Sequence, residues 1–167
     1  MPAIHNVLII TGSAPCLEAD INALAFPDHV QCDWMAVGLD GVDKYRWPID
    51  YVVTYHPAEI PAIRERRTVY GSNTNYKVIS HLGNDGVDIV EPFVPPTGSS
   101  ALCGALAAIR MGYKRIVLCG CPLLDTKYIV FQRGWESKKS MVQGIVKSMS
   151  GWTRELLGEP TQEWLGG

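Results

Sequence analysis

The sequence predicts an α/β domain of three layers, with a mainly parallel sheet between two layers of helices. Three observations lead there. Short, continuous apolar runs of strand length recur along the chain, as in Val7–Ile10, Tyr51–Tyr55 and Ile116–Cys119; such runs mark strands buried on both faces. Between them lie apolar residues spaced by three and four, as in Leu17, Ile21 and Leu24, the stripe of one helix face. Glycine, proline and hydroxylated residues punctuate the boundaries.

The 167 residues suit one domain, 1–167. Apolar residues make up 47% and charged residues 19%, an ordinary globular composition. A net charge of −2 gives no general attraction to DNA, RNA or anionic membranes, so no nucleic-acid partner is expected. No apolar run is long enough to span a bilayer. Met1 to His5 run straight into the first strand, with no leader of charged then apolar residues, and the expected location is cytoplasmic. The cysteines are Cys16, Cys32, Cys103, Cys119 and Cys121, an odd number that reads as reduced thiols. Cys119-Gly120-Cys121 has no second pair or histidine at ligand spacing, so buried strand-end thiols are expected. No metal and no cofactor is called for.

In chain order, Val7–Ile10 ends at Thr11-Gly12-Ser13-Ala14-Pro15, with Ser13 placed as an N-cap and Pro15 in the first helical turn. Val30–Val37 reads as a second strand, weakened by Asp33, and Leu39-Asp40-Gly41 as a turn. Tyr51–Tyr55 is a third strand, stopped by His56-Pro57, and Glu59–Arg67 a short charged helix. Tyr76–Ser80 and Val87–Val90 are further strands. Thr97-Gly98-Ser99-Ser100 opens a helix through Leu102, Leu106 and Ile109, and Gly112 stands where a left-handed cap belongs. Arg115–Cys119 follows as a buried strand. Leu123–Gly134 reads as irregular. A last helix is expected over Trp135–Leu157, its apolar stripe Met141, Ile145, Met149, Trp152 and Leu156 facing the core or a second copy of the chain. Residues 158–167 are expected as a loosely attached tail.

Ligands of open parallel sheets sit at the carboxyl ends of strands. Two loops there have suitable chemistry: Gly12-Ser13-Ala14 and Thr97-Gly98-Ser99-Ser100. Both are small, hydroxylated and lead into a helix, whose free N–H groups attract an anion. Plain helix capping explains either one alone; the pair, expected at opposite ends of the sheet, brings a ligand reading level with capping. Neither is a Walker A or a G-x-G-x-x-G sequence. His56, after a strand, is a candidate pocket base or a turn histidine. Asp125 is a ligand-facing carboxylate or a solvated loop acid. Arg133, with Lys138 and Lys139, forms a phosphate clamp or a solvated helix start.

Thr11-Gly12-Ser13-Ala14-Pro15-Cys16-Leu17 resembles the G-N-G-P-S-L turn of the family 42 bacterial sialyltransferases. A related Rossmann group, of motility accessory factors and hydroxymethylpterin pyrophosphokinases, shares that turn. Thr97 through Gly120 resembles their T-S-G-x-x-x-C, A-I-x-L-G-Y-K-x-I-x-L-x-G run, and Tyr55-His56-Pro57 their strand-ending Y-N-P element. The similarity covers residues 5–125. It implies a Rossmann-like fold and a nucleotide or nucleotide-sugar ligand, with Gly12, Ser13 and Thr97–Ser100 around phosphate and ribose. The departures are specific. Ser13 and Gly38 replace two asparagines, Pro95 replaces an arginine, and no histidine follows His81 in the place of the family's catalytic one. The chain therefore resembles a divergent, shortened member. Two alternatives stand beside transfer: a non-catalytic interaction module, and a pyrophosphokinase drawing on Asp40, Asp43 and Asp125.

Overall fold

The structure, a computed structural model, describes residues 5–167; the Met1–Ile4 part of the N-terminal reading lies outside them. Seven strands form one sheet in the order β5-β4-β3-β2-β1-β6-β7. They are β1 (Val7–Thr11), β2 (Cys32–Val37), β3 (Tyr51–Val53), β4 (Lys77–Ser80), β5 (Ile89–Val90), β6 (Arg115–Cys119) and β7 (Val146–Ser148). Every neighbouring pair is parallel. Val7 to Ile10 of β1 are essentially without solvent contact, as a central parallel strand requires. The three-layer α/β expectation is met.

Alternation along β1 assigns the two helical layers. Leu8 and Ile10 face α4 (Ser100–Met111) and Trp135 of α5 (Ile129–Ser137). Val7 and Ile9 face α1 (Leu17–Ala23), α2 (Gly38–Lys44) and α3 (Ile60–Val69). The chain winds outward from β1 to β5, then returns to place β6 on the other side of β1. Strand order thus reverses between β1 and β6, and a crevice opens above their carboxyl ends. α4 carries its expected signals: Ser99 caps it by accepting from the Leu102 N–H, and Gly112 closes it at φ 101°. Gly104 lets it lie flat, because a Cβ there would stand 2.6 Å from the Met35 sulfur and 2.9 Å from Val53 Cγ1.

Several expected elements differ. The helix over Trp135–Leu157 is instead the end of α5, α6 (Lys139–Val142), β7 and α7 (Gly151–Leu157). Gly144 and Gly151 have φ of 81° and 70°, which no continuous helix accommodates. Val146 pairs with Ile116 at the sheet edge. The apolar spacing in this stretch comes from two short helices and a strand in succession, and Met141 is 48% exposed rather than packed. α5 begins inside the stretch read as irregular, and Lys138 caps its C-terminus. Lys138 therefore stands between the end of α5 and the start of α6, and Lys139 is the first residue of α6. Leu39-Asp40-Gly41 belongs to α2, a short helix held by the buried Val42. The Val87–Val90 strand shrinks to Ile89–Val90, since the Asp88 carboxylate accepts from the Val78 N–H (2.8 Å) at the start of the ladder.

The tail is attached. α8 (Gln162–Gly166) buries Leu165 to 2% exposure, and the Trp164 indole donates to the Gly144 carbonyl at 3.1 Å. Asp33, the acid that weakened the second strand, is buried and held by His5 Nδ1 (2.6 Å) and the Tyr113 hydroxyl. Among the described residues, no helix is long and apolar enough to cross a membrane.

Candidate functional site

A cleft of about 260 Å³ lies above the carboxyl ends of β1 and β6. Its floor is the loop after β1. The Gly12 and Ala14 N–H groups donate to the carbonyls of Cys119 and Gly120 at 2.8 and 3.2 Å. A Cβ on Gly12 would stand 2.3 Å from the Gly120 oxygen, so only glycine lets these loops meet. The α1 cap is Cys16, with no side-chain bond. Ser13 is therefore not the cap. Ser13 lines the cleft, and its N–H and hydroxyl have no protein partner among the described residues. Below, the buried Asp20 accepts from the Gly120 N–H and the Ser150 hydroxyl, both at 2.8 Å. That carboxylate ties the loops after β6 and β7 to α1.

One wall is the entrance to α4. Its hydroxyls are largely committed to structure. Ser99 Oγ accepts from Leu102, Ser100 Oγ accepts from the Tyr55 N–H at 2.9 Å, and Thr97 Oγ1 accepts from the Ser99 N–H at 3.4 Å. What this wall offers a ligand is backbone: Gly98, at φ 75°, and the Ser100 and Ala101 N–H groups at the start of a twelve-residue helix. Tyr128 and Phe131, with centroids 5.6 Å apart, add an aromatic face beside Gly98. Leu123 completes that side at φ 49°, a left-handed conformation that costs a non-glycine residue ~1 kcal/mol or more.

The other wall comes from the opposite helical layer: Gly38, Leu39 and Asp40 at the start of α2, with His56 and Glu59 after β3. Thr54 organises it. Its hydroxyl accepts from the His56 N–H at 2.9 Å and lies 3.2 Å from Glu59 Oε2. The His56 ring stays exposed. Behind it His81 stacks on Tyr55, centroids 3.8 Å apart. Burial, then the neighbouring His56, lowers the His81 pKa below its ordinary 6.5.

Of the expected site residues, Gly12, Ser13, Ala14, His56, Gly98, Ser99 and Ser100 line this one cleft. The two loops converge across the sheet rather than standing at its opposite ends, because α4 crosses back over β4 to β1. Thr97 lies behind the wall, packed on Gly134. Asp125 and Arg133 are outside the cleft. Asp125 is exposed and caps the 3₁₀ turn Thr126–Tyr128 through the Lys127 N–H. Phe131 faces the cleft, and two residues along a helix turn Arg133 to the opposite, exposed side. Asp43 is taken by Arg66 at 3.0 Å, so the three carboxylates considered for a phosphokinase do not meet. Glu59, Tyr128, Phe131 and Leu123 are cleft residues that sequence reasoning missed. Asp40 did carry a signal, as the acid after the second strand of a doubly wound sheet.

Cys121 also lines the cleft, but burial pushes its thiol up to about 12, which removes the thiolate a nucleophile needs. Among the described residues, no three His, Cys, Asp or Glu side chains converge as metal ligands do.

No family model matches the chain, and no curated protein does. Solved structures similar to it include two of one enzyme. One is the sialyltransferase CstII from Campylobacter jejuni with cytidine-5'-monophosphate: TM-score 0.55, 14% identity, over 94% of this chain and 86% of that one. The other is CstII with CMP-3FNeuAc: TM-score 0.53, 13% identity, over 96% and 97%. At this identity the likeness is one of fold.

Proposed function

We propose that the protein binds a nucleotide or nucleotide-sugar in this cleft and acts as a glycosyltransferase-like enzyme. The observation that carries the reading is the convergence of the Gly12–Ala14 and Gly98–Ser100 loops at the strand-order reversal. That is where a doubly wound sheet presents N–H groups to a phosphate. The Ser13 N–H and hydroxyl meet the phosphate from the floor, and the α4 first turn meets it from the wall. Tyr128 and Phe131 give a base or sugar a face to stack on. The CstII structures, solved with a nucleotide and a nucleotide-sugar analogue, support this ligand class by shared fold.

In sugar transfer, the acceptor hydroxyl attacks the anomeric carbon as the nucleotide phosphate leaves. His56, exposed at the rim, is the residue placed to take the hydroxyl proton. The test is a thermal-shift screen against nucleotides and nucleotide-sugars, with Ser13→Ala beside the wild type. A folded-state ligand raises Tm by mass action. A shift with one nucleotide class, lost in Ser13→Ala, supports the site; no shift with any at millimolar concentration overturns it. A pH–rate profile unchanged by His56→Ala removes His56 from the mechanism.

One observation favours the second reading, an interaction module. Leu124, Ile129, Val130 and Met141 are 70, 43, 52 and 48% exposed around α5 and α6. Isolated apolar residues are common on surfaces, and this reading holds only where these side chains form one large patch.

A further inference from the structure

Away from the cleft, three aromatic rings stand in series. Trp34 of β2 stacks on Tyr45, with centroids 5.0 Å apart and planes at 15°, and Tyr45 meets Trp47 at 5.6 Å. Trp47 is 66% exposed, yet its backbone is pinned. The buried Arg67 guanidinium donates to the Trp47 carbonyl at 3.2 and 3.1 Å and to the Tyr45 carbonyl at 3.3 Å. Asn73 holds Ile49 by both its N–H and its carbonyl. Among the described residues Arg67 has no carboxylate partner. A buried cation without an acid is a costly device, and here it fixes a loop that carries an indole in water. Single apolar residues scattered on a surface need no such support.

The three rings line a cavity of about 480 Å³ together with Glu18 and Asn22 of α1 and Lys44 at the end of α2, a volume in the range of small-ligand sites. Trp34 also lines a second cavity of about 450 Å³, with Asp50, Asn75 and Lys77 near the amino ends of β3 and β4. None of these residues lines the cleft described above. Tyr45 is 6% exposed, and its hydroxyl has no protein partner among the described residues and is not sealed from solvent. The lining is chemically mixed: Glu18 accepts, Lys44 donates, and Asn22 and the Tyr45 hydroxyl do both. A free anion is repelled by Glu18 and a cation by Lys44. A proline-rich peptide offers carbonyl acceptors and few donors, which leaves Glu18 unmatched. A pyranose meets the whole set. One face of its ring is C–H groups, which the negative face of an indole attracts, and the hydroxyls at its rim both donate and accept. We infer that this surface binds a neutral oligosaccharide, with one sugar ring on Trp47 and the chain continuing past Trp34 toward the second cavity. The inference does not rest on the nucleotide reading, since the two sites share no residue.

The experiment is isothermal titration of the full chain with maltohexaose, cellohexaose and N-acetylchitohexaose, and with decaproline as the rival occupant. At least one saccharide is expected to bind, and Trp47→Ala to weaken it by about tenfold or more, as loss of an aromatic anchor does. Trp47→Phe keeps an aromatic face and is expected to recover part of that loss. Tyr45→Phe keeps the ring series, removes only the hydroxyl, and is expected to weaken binding less than Trp47→Ala. Trp47 is exposed, so its variants are expected to fold, and an unchanged Tm checks that they do. Three outcomes overturn the inference. One is no binding of any of the three saccharides at millimolar concentration. Another is saccharide binding that survives Trp47→Ala, which places it elsewhere on the chain, the cleft included. The third is decaproline binding more tightly than every saccharide, which makes the rings a peptide-docking surface. Each leaves the nucleotide reading standing, because that reading is tested by nucleotides and by Ser13→Ala.

Discussion

Gly12 shows how much one residue decides here. Its missing side chain lets the β1 loop touch the Gly120 carbonyl, and an added Cβ would stand 2.3 Å from that oxygen and 2.7 Å from the Cys121 sulfur. Gly12→Ala is expected to cost ~1–3 kcal/mol, as overpacking does, and to abolish ligand shifts by displacing Ser13. Denaturant unfolding and the thermal-shift screen measure the two effects. Ser13→Ala behaves differently. Its hydroxyl has no protein partner among the described residues, so stability should stay within ~0.5 kcal/mol of wild type while binding weakens. His81 supplies a pH signature. Burial lowers its pKa below 6.5, so the folded chain binds fewer protons there than the unfolded chain. Stability is then complete above the unfolded value and declines as pH falls through it. Tm measured from about pH 7.5 to 5 should drop on the acid side, and His81→Phe, which keeps the stack on Tyr55, should flatten that limb. At this scale the candidate site was half legible. Small and hydroxylated residues before helices were visible in the sequence. Arg133 was misplaced because its neighbour Phe131, not Arg133, occupies the inward position of a helix whose start was not anticipated.

α4 is the element that binds sheet and site together, and its sequence states its own limits. Ser99 and Gly112 mark its ends through local capping geometry. Ser99→Ala should cost ~1 kcal/mol through the lost cap, with nucleotide affinity changed less than in Ser13→Ala, because Ser99 Oγ already serves Leu102. Gly104→Ala tests the other face. A methyl group 2.6 Å from the Met35 sulfur and 2.9 Å from Val53 Cγ1 forces the helix off the sheet, an expected loss of ~1–3 kcal/mol in chemical denaturation, although alanine is the better helix former. β7 is the opposite case. Val146–Ser148 has only three residues, and its flanking spacing mimics a helix period. Short segments carry little periodicity of their own. Pairing with β6, and the glycine conformations on either side, decide its state.

For the whole molecule, the sheet runs unbroken through both halves of the chain, and the two cores lie back to back across it. We expect residues 5–167 to unfold as one unit, with calorimetric and van't Hoff enthalpies in agreement; two separated transitions would divide the domain. α8, read from sequence as loose, should melt with the rest because Leu165 is buried in the sheet's core layer.

The sequence by itself determined the α/β class, the β1 and β6 strands, the capped α4 helix and the two small-residue loops. Each of these is written in contiguous residues, as apolar runs, helical spacing, caps and turn chemistry. Only the tertiary structure decided that the loops converge, that Asp40 and Glu59 line the same cleft from the opposite layer, and that Asp125 and Arg133 stand apart. Those outcomes follow from strand order and from helices crossing the sheet, which bring residues together through contacts distant in sequence. Local chemistry names the participants, and packing across the β1–β6 reversal selects which of them meet.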